Sequence, residues 1–145
     1  MQTGINRRKT GLTDYGISKK RLKELSGFCE QYPEWKQELE MKDSTLRSPQ
    51  LTGMPVSRKN ADATGDLAVR RADLEAKCRL IEETAREADE ELYEYIIKAV
   101  CYEISIPYLM AHEEMPCSQA SFYDVRKYFY CLLNKKKQAL ERNFS

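Results

Sequence analysis

The sequence is most informative first for what it lacks. It has one histidine and one tryptophan in 145 residues, six glycines and five prolines. A single His112 leaves a Ser-His-Asp or Cys-His arrangement resting on one residue, so no catalytic group is expected. No glycine-rich phosphate loop occurs, and no cofactor is expected. No run approaches the roughly 18 apolar residues of a membrane-spanning helix, and the polar, basic start from Met1 to Thr10 has no apolar leader core. A chain without membrane contact, placed in the cytoplasm of a bacterial cell, is the expectation.

Cysteine is present without the spacings that give it a task. Cys29, Cys78, Cys101, Cys117 and Cys131 are odd in number and form no CxxC pair, which suits reduced core thiols better than a disulfide framework. Cys101, His112, Cys117 and Cys131 match no familiar zinc spacing, so no metal is expected either.

Charge is abundant and unevenly placed. Charged residues make up 32% of the chain, yet the net charge is only +1. Residues 1–27 carry +5 and residues 117–145 carry +4, around a middle of −8. Two basic ends flanking an acidic middle suit a nucleic-acid binder with a defined face.

The apolar pattern reads as all-α: a helical domain ending in a C-terminal helix-turn-helix, with a flexible N-terminal arm and a long internal loop. Residues 1–17 form the arm, with glycines and few apolar side chains. Residues 18–42 form a helical segment. Ser18 is its N-cap, Leu22, Leu25, Phe28, Cys29 and Tyr32 recur at helical spacing, and Pro33 ends or kinks it. Residues 43–66, with Ser48-Pro49, Thr52-Gly53 and Met54-Pro55, read as a loop or linker. Residues 67–138 form the main helical domain, and 139–145 a tail.

In that domain Asp66 caps a helix to about residue 87. Its narrow stripe of Leu67, Leu74 and Ile81, beside Cys78 and Ala85, suits an intramolecular partner or a homodimer contact. Asp89 caps the next helix, expected to run through Glu103 with Leu92, Tyr93, Ile96, Ile97, Val100 and Cys101 on a broad buried face.

Residues 105–137 carry the functional pattern. Ser105 caps a short helix with Pro107 in its first turn, and Met115-Pro116 closes a linker. Ser118 caps a long helix with Phe122, Val125, Phe129, Leu132 and Leu133 on its apolar face. A short helix, a turn and a longer helix make a helix-turn-helix. The long helix starts small and polar, as major-groove entry demands. The DNA-binding set is therefore Ser118 at the head of the helix, Gln119, Ser121, Tyr123 and Arg126 toward bases, and Lys127, Lys135, Lys136 and Lys137 toward phosphates.

The segments Ile106-Pro107-Tyr108-Leu109 and Met115-Pro116-Cys117-Ser118-Gln119-Ala120-Ser121-Phe122-Tyr123-Asp124-Val125-Arg126-Lys127-Tyr128-Phe129 resemble the C-terminal motif of phage and prophage regulators of the RinA/ArpU type. That pattern falls on Pro116, Ser118, Phe122, Tyr123, Arg126 and Phe129. The resemblance implies a prophage protein of a Gram-positive bacterium whose sigma-like helix-turn-helix switches on late packaging or structural genes. Lys127 stands where a second arginine is common, and lysine lacks arginine's bidentate fork for guanine. Double-stranded DNA is the expected partner, with RNA polymerase and a second copy, through the 67–87 helix, as further candidates. Two rivals stand beside this reading. One is a small terminase-like packaging protein whose 67–87 stripe builds a ring. The other is a protein-binding helical adaptor using Tyr93, Tyr95, Tyr102 and Tyr108.

Overall fold

A computed structural model describes residues 16–47 and 57–143, with side chains placed for 16–41 and 65–142. Among the described residues the protein is all-helical, built from α1 (Lys19–Glu30), α2 (Tyr32–Arg47), α3 (Ser57–Ala88), α4 (Tyr93–Val100), α5 (Ile106–His112) and α6 (Gln119–Asn143). The 32-residue α3 is about 48 Å long at 1.5 Å per residue. It forms the spine: α2, α4 and α6 all pack against it, while α1 and α5 pack on α6.

Local chemistry sets the helix ends. Ser18 accepts the Arg21 N–H through its hydroxyl at 3.1 Å, as an N-cap should. Ile17, one residue outside the cap, is 1% exposed, and Leu22 packs partly buried against the same core. These are the two positions of a hydrophobic staple. The expected arm therefore loses its last residue to the core, and residues 1–15 lie outside the described residues. Pro33 acts as expected, with the break falling two residues earlier at Gln31. A proline near a helix start forfeits only an N–H that has no partner there.

The region expected as a loop is entered by helix from both sides. α2 continues to Arg47 and α3 begins at Ser57, so only residues 48–56 of the expected 43–66 loop fall outside the described residues. This linker separates no domains. Leu25, Cys29, Tyr32 and Trp35 from the N-terminal helices share one core with Leu74, Ile81, Ile96, Leu109, Phe122 and Phe129. At the other end, the expected tail is helical to Asn143, with Glu141 in an ion pair to Arg21 at 3.4 Å.

The stripe on α3 is spent inside the chain. Leu74, Cys78, Ile81 and Ala85 are all buried in the common core, and Leu67 is half-buried. Two polar groups accompany them without penalty. The buried Thr84 hydroxyl donates to the Leu80 carbonyl at 2.6 Å, and the buried Asn134 amide oxygen accepts the Arg21 Nε–H at 2.7 Å, so neither is left unpaired.

α4 is shorter than its apolar pattern suggests. Asp89 accepts the N–H groups of Glu91 and Leu92 at 2.9 and 3.0 Å, so it caps a turn and α4 starts only at Tyr93. The helix stops at Val100, not Glu103. Glu103 adopts φ 55°, and the Ile104 N–H turns back to the Lys98 carbonyl at 3.1 Å. A left-handed residue just past the last turn closes a helix in this way.

Candidate nucleic-acid interface

The α5–turn–α6 unit rests on four inward side chains. Ile106, Leu109, Met115 and Phe122 are all buried in the common core. Ser105 caps α5 by accepting the Tyr108 N–H at 3.2 Å. Ser118 caps α6, accepting the Ser121 N–H at 3.1 Å and donating its own proton to Ser121 Oγ at 3.1 Å. The expected short helix, turn and long helix are therefore all present, with a turn of six residues, Glu113–Ser118.

That turn is fastened at one residue. The Leu109 carbonyl accepts both the Glu113 N–H, at 3.0 Å, and the Met115 N–H, at 3.3 Å, around Glu114 at φ 50°. From α4, the Tyr95 hydroxyl donates to the Glu113 carbonyl at 3.0 Å, and Lys98 pairs with the Glu113 carboxylate. That hydrogen-bonded pair raises the Lys98 ammonium above its ordinary range. α4 thus fixes where α5 ends and where α6 begins.

α6 divides along its length. At 3.6 residues per turn, Gln119, Ala120, Tyr123, Asp124 and Lys127 fall on one arc of roughly 140°. Gln119 and Ala120 are exposed, Tyr123 is 38% exposed, and Asp124 and Lys127 are half-buried. Further along, the same arc carries Tyr130, Cys131 and Asn134, all buried. α1 covers it there: Asn134 and Glu141 hold Arg21, and Lys137 lies 4.0 Å from the Phe28 ring centroid. Burial of the Tyr130 phenol, first among its causes, raises its pKa well above the usual range. The arc is thus an exposed ledge at Gln119, Ala120 and Tyr123, partly covered at Asp124 and Lys127, and a packed helix beyond.

The nine residues read as DNA contacts divide accordingly. Gln119, Tyr123 and Lys127 stand together on the ledge, with Ser118 at its head. Ser121 lies roughly 160° round the axis from Tyr123, with its hydroxyl engaged by Ser118. Arg126 is half-buried at the ledge's edge, its guanidinium 4.8 Å above the Tyr123 ring centroid, a cation–π contact that steadies the tyrosine.

The basic run departs most from expectation. Lys136 pairs with Glu87 of α3 at 2.7 Å. Lys137 is partly buried against α1, and burial lowers its ammonium pKa. Both are turned to neighbouring helices because α6 packs between α3 and α1, which periodicity on α6 alone does not reveal. Only Lys135 of the three is exposed. Conversely, Ala120 and Asp124 lie on the ledge and were not singled out from the sequence. The signal was present: they follow Gln119 and Tyr123 by one residue each, opposite Phe122 and Phe129.

His112 ends α5 at the surface, its ring 4.6 Å from the Tyr108 ring. Cys29, Cys78, Cys101 and Cys131 are buried and Cys117 half-buried, all as free thiols. Among the described residues no three of His, Cys, Asp or Glu are grouped to hold a metal ion, and no helix is long and apolar enough to cross a membrane. In comparisons with known proteins, no family model, curated protein or solved structure matches this chain.

Proposed function

We propose that this chain is a non-enzymatic, sequence-specific binder of double-stranded DNA that enters the major groove with the first turns of α6. The observation that carries the reading is the exposed ledge of Gln119, Ala120 and Tyr123, with Asp124 and Lys127 partly exposed beside it, on a helix whose continuation along the same arc is covered by α1. A helix that must lie in a groove about 12 Å wide needs its leading turns clear and its trailing turns anchored. Gln119 offers the amide that pairs with an adenine edge, Tyr123 an aromatic and hydroxyl contact, and Lys127 a charge for the backbone. The resemblance to RinA/ArpU-type regulators extends this reading to activation of late phage genes, in the cytoplasm of the host and with RNA polymerase as a further partner.

The ring-forming packaging alternative drew on Leu67, Leu74 and Ile81 as a contact between copies, as did dimerisation through residues 67–87. With Leu74 and Ile81 inside the core, that stripe is not offered to a second chain, so neither assembly is favoured. The adaptor reading is weakened in the same way. Tyr93 stacks under Arg86 at 4.6 Å and Tyr95 holds the Glu113 turn, which leaves Tyr102 and Tyr108 exposed.

Selection of bound duplexes from a random pool, followed by anisotropy titration at several salt concentrations, tests the proposal. A shared site should emerge. Lys127→Ala should weaken all sequences alike and flatten the salt slope by about one unit, while Gln119→Ala relaxes one position. No retention of any duplex at about 50 mM salt, where phosphate contacts are strongest, would overturn it.

A further inference from the structure

The two basic ends of the chain meet in space. Arg21, in the first turn of α1, is held by Asn134 at 2.7 Å and by Glu141 at 3.4 Å, both in the second half of α6. Helices in contact lie about 8–10 Å apart, axis to axis, so the cations of these two stretches share one surface. α1 gives it Lys19, Lys20 and Lys23, and α6 gives it Lys135 and Arg142, all exposed. Lys23 and Lys137 line one cleft of about 410 Å3 between the helices. The two carboxylates of that cleft, Glu24 and Glu141, both pair with Arg21. Local stability does not account for the grouping. Lys19, Lys20 and Arg21 fill a first turn that holds no acid, where the positive end of the helix dipole favours anions. Like charges gathered on one surface also repel one another.

Resting on the DNA-binding reading above, we infer that the joined basic ends hold the phosphate backbone of the duplex whose groove the leading turns of α6 enter. The kind of partner follows from charge. A duplex carries one negative charge per about 1.7 Å of its axis, and cations spread over two helices match it without reaching base edges. Single strands would need bare rings on which bases stack, and the one ring of the cleft, Phe28, is already covered by Lys137 at 4.0 Å. Placement along α6 agrees. At 3.6 residues per turn, Lys135 and Arg142 fall within roughly 20° of Asp124, about 17 and 27 Å further along the axis. Groove and backbone contacts therefore run in line on one helix, and α1 widens the trailing one. The run of three lysines on α6 is thus not the whole source of affinity. Lys136 is spent on Glu87, and Lys19, Lys20 and Lys23 supply charge from the other end of the chain.

The test is an anisotropy titration of the full chain against a selected duplex and an unrelated one, between about 50 and 200 mM salt. The wild type is set beside Lys19→Gln/Lys20→Gln/Lys23→Gln and Lys135→Gln/Arg142→Gln. Each variant should weaken both duplexes alike and flatten the salt slope by about 0.9 for each cation removed, with the preference for the selected duplex unchanged. The α1 variant should melt no lower than the wild type, since cations leave the positive end of a helix. A lower melt would assign those lysines to packing and overturn their role here. An unchanged slope in either variant overturns the joined surface and leaves the DNA-binding reading standing. A changed preference between the two duplexes overturns it in favour of base contact. A wild-type chain that retains neither duplex overturns the DNA-binding reading itself, and this inference with it. Retention by phosphatidylserine vesicles and by no duplex does the same in favour of a membrane surface.

Discussion

Phe122 and Tyr123 are adjacent on α6 and face opposite demands, so truncating each in turn separates packing from recognition. Phe122 is 0% exposed and Tyr123 38%. A phenylalanine buries about 150–200 Å2 of largely apolar surface, which at about 25 cal/mol per Å2 corresponds to about 4–5 kcal/mol. Truncation to alanine typically costs about 3–5 kcal/mol, depending on how far the site collapses. Against a total stability of about 5–15 kcal/mol, Phe122→Ala should move the urea midpoint far down or leave the chain unfolded, and Phe122→Leu keeps the comparison measurable. Tyr123→Ala loses an exposed ring and its contact with Arg126, at most about 1 kcal/mol. The chain supplies its own probe in Trp35, its sole tryptophan, 7% exposed and set edge-on against Phe28 at 5.1 Å. Urea titration followed by Trp35 emission, with anisotropy on a selected duplex, gives both quantities. Phe122→Leu should lose stability and keep its site preference, and Tyr123→Ala should do the reverse. Equal destabilisation by the two variants would mean that Tyr123 is packed and the ledge is not a surface.

Two further outcomes follow from the surroundings of single residues. Burial is the first cause that pushes the Cys78 thiol from its ordinary 9.0 up to about 11, with Lys36 opposing it. A raised folded pKa gives stability that is complete below pH 9 and lost as pH climbs through 11. At pH 10 the two values imply a tenfold factor, about 1.4 kcal/mol. In reducing buffer, the fall in stability between pH 8 and pH 10 should therefore be smaller by about that amount in Cys78→Ala, and an equal fall in both proteins refutes the assignment. Lys98 fastens the α5–α6 turn through a partly exposed pair with Glu113, so Lys98→Met should cost less than about 1 kcal/mol globally. Hydrogen exchange should nonetheless quicken at the Met115 amide, which bonds to the Leu109 carbonyl, and leave Ile96 unchanged. Unchanged exchange at Met115 would show that Tyr95 alone holds the turn.

Much of the fold could be read from the chain because caps and periodicity are local. Ser18, Ser105 and Ser118 each bond the N–H three residues on, and Leu74, Cys78, Ile81 and Ala85 are the buried face of α3. The misses are tertiary. Ile17 reads as part of an arm until Leu22 and the rest of the core are placed beside it. The end of α4 depends on Glu103 taking a left-handed conformation, which an apolar pattern running on to Cys101 does not signal. Lys136 and Lys137 look like a phosphate run on α6 alone, and only the position of Glu87 and Phe28 on other helices turns them inward.

The same tertiary fact sharpens the site. Periodicity assigns Gln119, Tyr123 and Lys127 to one arc of α6, and Tyr130 and Asn134 to its continuation, with nothing to distinguish the two stretches. α1 makes the distinction by covering the later stretch, with Arg21 held by Asn134 and Glu141. Burial along the arc therefore follows contact with α1 and not the spacing of α6: where Arg21 meets Asn134 and Glu141 the arc is buried or paired, and at Gln119, Ala120 and Tyr123, which α1 leaves uncovered, it is exposed. A pattern read on α6 alone assigns one face to both stretches, because what separates them is a helix more than 100 residues earlier in the chain.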